Sequence, residues 1–308
     1  MKILIVPDVH GSHEWEKAKE KINEVDKIIF LGDYFDAWEN KWPDQGENFL
    51  NICSFKRQYP DKVILLIGNH DFSYISGGVY GSNCSGHQYD KASEIRALLT
   101  SNLDIIDLAF ECDGWVFSHA GFSKTAVGMM SRIINNICGK EEEGFSISRL
   151  NKCWHERSHF HGDPNFDSFF DEKLDWDGMF SGSGDEKTQF CLWIRPHSLL
   201  IDAYYQKQVV GHTEYCIDDF VALKVGENYV LLTDSRTHSV FDVFDTEKLI
   251  EPIAEIEFGI SYKKKMKQIN DLKSLFGSQE FSEEEKVKKI KEVFGEKAKF
   301  YFENYFKE

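Results

Sequence analysis

With 308 residues, 42% hydrophobic and 29% charged, the chain has the composition of a globular protein with one large core or two modest ones. Its 52 acidic against 36 basic residues leave a formal charge of −16, which argues against a non-specific hold on nucleic acid or an anionic membrane. No run reaches membrane-spanning length, the apolar opening "KILIV" is too short for a secretory signal, and seven scattered cysteines without a C-x-x-C read as reduced thiols, so a cytoplasmic setting is expected.

In chain order, "KILIV" (2–6) predicts a buried strand, and 12–24 predicts a helix with Ser12 as its N-cap. "KIIFL" (27–31) is the next strand, 46–59 the next helix and "KVILLI" (62–67) the third strand. A Gly- and Ser-rich loop follows at 76–87, then a helix from about 90 to 100. Strand, helix, strand, helix, strand at this spacing predicts βαβ crossovers and a mostly parallel sheet. "WVFSHAG" (115–121) supplies a further strand end. From about 139 to 190 periodicity gives way to polar and aromatic residues punctuated by Gly, which predicts an inserted cap or lid. "KQVVGHT" (207–213) restores the pattern, and "FVALKVGENYVLLTDS" and "HSVFDVF" predict antiparallel strands with a tight turn at Gly226 to Asn228. From Ile260 twelve Lys stand against nine acids. There Ser282 to Glu285 forms a capping box, and Val287, Ile290 and Phe294 recur at helical spacing. Residues 1–259 are thus expected to form the main domain and 260–308 a helical extension, through which a homo-oligomer could form.

The chemistry sits at the strand tips. "VPDVHGS" places Asp8 and His10 after the first strand, "LGDYFD" places Asp33 and Asp36 after the second, and "IGNHD" places Asn69, His70 and Asp71 after the third. "FSHAG" and "VVGHT" add His119 and His212. Each is an apolar run, then Asp, Asn or His, with Gly beside it. Ligands of open α/β sheets lie at the carboxyl ends of the strands, so the five tips are expected to converge. Carboxylate, amide oxygen and imidazole without a thiolate cluster suit Mn²⁺, Fe or Zn²⁺ and not a structural zinc. Asp8, His10, Asp33, Asn69, His119 and His212 make six ligands, enough for two ions if one carboxylate bridges them, an arrangement suited to in-line attack on phosphorus. Taken singly, a strand-end His or a turn Asp is ordinary structure; the set of five in this order is not.

The blocks D-x-H-G, G-D-x-x-D, G-N-H-D, S-H-A-G and G-H-T resemble those of the calcineurin-like metallophosphoesterase superfamily, most closely its protein Ser/Thr phosphatase and symmetrical diadenosine tetraphosphatase branch, over about residues 1 to 245. The resemblance implies a four-layer α/β/β/α sandwich bearing the cap and the C-terminal extension. It also implies two divalent ions, most readily Mn²⁺, with Asp8 and His10 on the first, Asp33 bridging, and Asn69, His119 and His212 on the second. His70 would protonate the leaving oxygen with Asp36 orienting its ring, and a metal-bridging hydroxide would attack. Three departures stand out. Glu214 occupies the position after G-H-x where many members have a second His. Ala37 stands where the phosphatase motif has a phosphate-binding Arg, which makes Arg195 in "LWIRP" the candidate replacement, since a guanidinium fork matches phosphate oxygens. The 139–190 insertion brings Trp154, His155, His159, His161 and Trp176.

The function these residues imply is hydrolysis of phosphate monoesters, on a phosphoprotein or a small phosphorylated molecule. The alternatives are hydrolysis of dinucleoside polyphosphates, favoured if cap aromatics stack on bases, and a catalytically silent scaffold, disfavoured because all six ligands, His70 and Asp36 are present. A nuclease is disfavoured because no basic patch interleaved with aromatics lies near the motifs.

Overall fold

Apolar runs that alternate their side chains between two buried faces set the architecture. Strands β1 (Lys2–Val6), β2 (Lys27–Phe30) and β3 (Val63–Leu66) lie side by side in parallel, and β4 (Ile106–Asp107) continues the sheet beyond β3. Along them Leu4, Val6, Ile28, Phe30, Val63 and Leu65 share one core, while Ile3, Ile5, Ile29, Leu31, Ile64 and Leu66 share another. Burial on both faces is why these strands read as continuous hydrophobic runs. The computed structural model describes residues 1–37, 42–75, 84–138, 144–158, 186–214, 220–234, 243–250, 252, 254–255, 271–277 and 281–295.

The second sheet packs its own inner face on the first. It comprises β5 (Ala109–Cys112), β6 (Trp115–Ser118), β7 (Lys207–Val210), β8 (Val221–Val225), β9 (Asn228–Leu232) and β11 (Ala254–Glu255), in the order β11-β8-β9-β7-β6-β5. Trp115, Phe117, Val209, Ala222, Tyr229 and Leu231 meet the isoleucines and leucines of the first sheet. Its outer residues, Val210, Leu223, Val230 and Leu232 among them, pack on Leu199 and Leu200 of α7 (Pro196–Asp202). On the far side of the first sheet lie α1 (Lys17–Glu20), α2 (Asp44–Gln58) and α4 (Ala92–Thr100), which bury Ala18, Phe49, Ile52, Ile95 and Leu99. Helix, sheet, sheet, helix is the expected four-layer order, and the β8–β9 hairpin turns where expected, with Val225 opposite Asn228.

Several elements depart from expectation. The stretch 12–24 forms only a 3₁₀ turn at Glu14–Glu16 and the four-residue α1. Ser12 Oγ does accept the Glu14 amide, at 3.2 Å, but the chain must return to β2, and the Asp26 amide is already bound to the Lys2 carbonyl. Strand β10 (Val243–Asp245), expected beside the hairpin, instead pairs antiparallel with β1 at the edge of the first sheet. Within the supposed cap, α6 (Ile147–Ser158) is a core helix where the chain passes from one sheet to the other. Only Leu108 separates β4 from β5, and the Asn151 side chain accepts from the Leu108 and Ala109 amides and donates to the Ala109 carbonyl, satisfying backbone groups exposed at the switch. Trp154 is buried and donates to the Ile106 carbonyl at 2.9 Å, and His155 binds Asp107 at 2.7 Å. These residues build the sheet junction. His159, His161 and Trp176 lie outside the described residues, as does most of the 76–87 loop.

The reading of seven reduced thiols is corrected at Cys153, which is disulfide-bonded; Cys53, Cys84, Cys112 and Cys191 are free. No described helix is long and apolar enough to cross a membrane. Near the C-terminus, α8 (Glu283–Phe294) opens with the expected capping box: Ser282 Oγ accepts the Glu285 amide, and the Glu285 side chain accepts the Ser282 amide. Ile290 on this helix is fully buried.

Candidate metal centre

Loops at the carboxyl ends of both sheets meet over their seam, and their backbones are bent to do so. Among the described residues, five non-glycine residues have left-handed φ, and four lie at the strand tips: His10 (42°), Asp33 (53°), Asp36 (67°) and His212 (59°). Such a conformation costs about 1–2 kcal/mol per residue and persists where the surroundings fix it. Here the loops after β1 and β2 continue the parallel ladder past the strands. Val9, His10 and Gly11 donate to the carbonyls of Gly32, Asp33 and Tyr34. Asp71 fastens the third loop, its carboxylate accepting from the Tyr34 amide at 2.8 Å and the Gly68 amide at 3.0 Å. Of the "NHD" trio, Asp71 is therefore a staple between loops.

Glycine is required where these loops touch. A Cβ on Gly68 would lie 2.0 Å from Asp33 Oδ1, and one on Gly211 would lie 2.3 Å from Asp8 Oδ1. Gly32, at φ +110°, packs directly on the Gly68 backbone. The glycines beside the motifs thus bring a neighbouring carboxylate close.

The six candidate ligands converge around Asp33. Its Oδ1 accepts the His70 amide at 2.9 Å, while Oδ2 lies 3.7 Å from His10 Nε2 and 3.5 Å from His119 Nε2. Donor atoms of His10, Asp33 and His70 lie within 4.8 Å of one another, and so do those of Asp8, Asp33 and His119, so Asp33 is common to both groups. Asn69 Oδ1 lies 2.7 Å from His119 Nε2 and 3.0 Å from His212 Nδ1. Both oxygens of Asp8 accept the His212 amide at 3.1 Å.

Protonation shows what this arrangement needs. Burial pushes His119 down to about 3 and, with the nearby Arg195 charge, His212 well below the ordinary histidine range, so both imidazoles are neutral and carry one N–H each. Each ring lies between two oxygens: the Leu31 carbonyl is 2.9 Å from His119 Nδ1 and the Trp193 carbonyl 3.2 Å from His212 Nε2, with Asn69 Oδ1 on the other nitrogen of both. One N–H cannot serve both oxygens, so each neutral ring leaves a nitrogen lone pair facing an oxygen, while the Asn69 amide group donates to Cys84 Sγ at 3.2 Å. Lone pairs facing one another at under about 3 Å repel unless a cation lies among them, and a carbonyl on the outer nitrogen is the usual support of a metal-binding histidine. His10 follows the same rule, with Nδ1 on the Phe35 carbonyl at 3.0 Å and Nε2 toward Asp33. The carboxylates show the same deficit. Burial raises Asp8 well above the usual range, with Asp234 and Asp33 adding to it, and burial with Asp71 does the same to Asp33. The residues fit divalent cations.

His70 stands at the rim of this cluster. Its Nδ1 is 2.9 Å from Asp36 Oδ2, which turns Nε2 inward to 4.0 Å from Asp33 Oδ2. Arg195, half-buried at the start of α7, donates through Nη1 to the His212 carbonyl at 2.8 Å and to Thr213 Oγ1 at 3.2 Å. Its guanidinium thus packs against the His212 loop. Glu214 is exposed. One residue the sequence reading passed over is Asp234. The parallel register sets Val210 beside Leu232, so Asp234 follows β9 as His212 follows β7, and it is buried within electrostatic reach of Asp8. The signal was present in "VLLTDS", an apolar run ending in Asp, without the neighbouring Gly that marked the other tips.

A family-wide sequence profile described as calcineurin-like phosphoesterase matches residues 1–183, more than half of the chain. The chain belongs to that family. The matched segment carries Asp8, His10, Asp33, Asn69, His70 and His119, while Arg195 and His212 lie beyond it. This member is similar to the serine/threonine-protein phosphatase 4 catalytic subunit of Eremothecium gossypii, at 28% identity over 225 residues, 66% of this chain and 64% of that protein. The Saccharomyces cerevisiae protein of the same name is 37% identical over 82 residues, 26% of this chain and 25% of its own length. The chain thus spans less than two thirds of these relatives. Among solved structures, a cold-active protein tyrosine phosphatase aligns over 77% of this chain and 72% of its own, at 17% identity and a TM-score of 0.47.

Proposed function

We propose that this calcineurin-like phosphoesterase is a metal-dependent phosphatase that hydrolyses phosphate monoesters, with Asp8, His10, Asp33, Asn69, His119 and His212 as ligands of two divalent ions, most readily Mn²⁺, with Fe or Zn²⁺ as alternatives. The observation that carries the reading is the convergence of ring nitrogens, carboxylate oxygens and Asn69 Oδ1 around Asp33, with the His70–Asp36 pair at its edge. Divalent ions bound there supply positive charge to a phosphoryl group and make water acidic enough to attack near neutral pH.

The protein's own groups then have distinct tasks. Asp33 is shared between the two ligand groups and fixes their separation. His70 holds a proton at Nε2 for the leaving oxygen, and Asp36 fixes the ring through Nδ1. Arg195 provides the guanidinium missing at Ala37 and orients a phosphate oxygen. The relatives named as serine/threonine phosphatases favour a phosphoprotein or a small phosphate monoester as substrate. Turnover of p-nitrophenyl phosphate, its bis ester and diadenosine tetraphosphate by protein supplied with Mn²⁺, with elemental analysis of the same sample, tests the assignment. Monoester turnover with up to two ions per chain is expected. Preference for the tetraphosphate would move the assignment to dinucleoside polyphosphates, and full turnover by exhaustively demetallated protein would refute it.

A further inference from the structure

The His70–Asp36 pair continues into a hydrogen-bond chain. Helix α3 (Asn69–Ile75) begins at the ligand Asn69, so residues 70 and 74 lie one turn apart on one face. Tyr74, 2% exposed, directs its hydroxyl to Asp36 Oδ1, the carboxylate oxygen that His70 does not use. The Gln88 amide donates to the same hydroxyl at 2.8 Å. The hydroxyl thus accepts from Gln88 and donates its own proton to Asp36. The ring is itself held, stacked on His87 at 4.2 Å between centroids and 16° between planes, and His87 Nδ1 lies 3.2 Å from Ser73 Oγ. The Gln88 side chain donates to Gln45 at 3.1 Å, tying the segment to α2.

We propose that Tyr74 is a positioning residue for the proton donor: by saturating one oxygen of Asp36 it fixes that carboxylate, and through it the direction of His70 Nε2 toward the leaving group. This rests on the proposed role of His70. Asp36 is buried, and an orienting carboxylate that lost one of its two partners would hold the imidazole less firmly in line. The sequence carries the feature as "HDFSY", a phenol four residues after the histidine.

The test compares substrates that need leaving-group protonation with one that does not. For Tyr74→Phe, His70→Asn and the double variant, kcat/KM is measured on an alkyl phosphate and on p-nitrophenyl phosphate, with metal content and Tm alongside. Tyr74→Phe keeps the ring and its stacking, so a folded, metallated protein is expected. Its aryl-to-alkyl ratio should rise by about 10-fold, against the about 10²–10⁴-fold that loss of the donor itself gives in His70→Asn. In the His70→Asn background the Tyr74 change should move the ratio no further. A normal ratio in Tyr74→Phe beside a raised one in His70→Asn overturns the positioning role alone. Additive effects in the double variant also overturn it, since Tyr74 would then act elsewhere. A normal ratio in His70→Asn overturns the donor assignment and the inference together.

Discussion

Gly68→Ala offers a test of the centre that leaves every candidate ligand in place. Gly68 is not in the left-handed region, so alanine brings no backbone strain and the perturbation is contact alone. Its Cβ would meet Asp33 Oδ1 at 2.0 Å and the Asp33 amide nitrogen at 2.3 Å. To regain the 3.4 Å of ordinary contact from 2.0 Å, the carboxylate must retreat by about 1.4 Å, and the second clash, with backbone, means a new rotamer cannot relieve it. Metal–ligand distances tolerate about 0.2 Å, and an ångström of misplacement costs about 10² in rate, so kcat/KM should fall at least about 100-fold with substoichiometric metal. The overpacking should cost about 1–3 kcal/mol of stability, leaving the protein folded. Gly128→Ala is the matched control. It is exposed on α5 (Lys124–Cys138) with nothing within 4 Å of its Cβ, and should be neutral or stabilising by up to about 1 kcal/mol. Calorimetry, elemental analysis and initial rates in Mn²⁺ decide the matter. A folded Gly68→Ala protein with full metal and a kcat/KM within a few-fold of wild type would refute the placing of Asp33 at the shared position.

Further outcomes follow from the same geometry. Arg195→Ala should lower kcat/KM by roughly 10- to 100-fold with the fold intact, matching about 1.5–3 kcal/mol for a charged hydrogen bond, and unchanged kinetics would remove it from substrate binding. Mn²⁺ binding to metal-free protein should release more protons as the pH is lowered, read by calorimetry in buffers of different ionisation enthalpy. The carboxyls of Asp8 and Asp33 are raised by burial and so keep protons that a cation must displace, whereas His119 and His212 are shifted the other way. Release that does not change with pH would contradict this. Saturating Mn²⁺, at about 100 times its dissociation constant, should stabilise the chain by about 2.7 kcal/mol, visible as a raised Tm; no shift would argue against a preformed site. Truncation after Gly259 should lower Tm or change the oligomeric state in light scattering while leaving kcat within a few-fold, and lost turnover in a folded, metallated truncation would place the tail at the site.

What the sequence disclosed and what it hid divide along physical lines. Buried parallel strands leave uninterrupted runs such as "VILLI", and polar residues at their ends interrupt those runs abruptly, so Asp8, Asp33, Asn69 and His119 stood out as candidates without any structure. The exchange of sheets between β4 and β5 was not, because Asn151, which supplies the missing hydrogen bonds, lies 43 residues from Leu108 in a stretch whose polarity suggests a loop. The helix expected at 12–24 failed because local propensity gave way to the path back to β2. Asp71, read with the metal-capable trio, serves instead to join loops, and nothing local distinguishes a carboxylate that accepts two amides from one that awaits a cation. Tyr74 was silent because a phenol on a helix reads as core until its partner is known.

The bond from the His212 amide to Asp8 spans 204 residues and joins loops of the two sheets. No N-terminal portion of this chain can therefore hold the complete centre, and on the ribosome the strands that begin the fold emerge long before its last ligand. Closure of so long a segment weighs on the rate of folding more than on final stability. Asp8, Asp33 and Asn69 follow strands of the first sheet, and His119 and His212 follow strands of the second, so the candidate centre is assembled only where the two sheets meet. A cation held by all six proposed ligands would therefore report that the two sheets have joined.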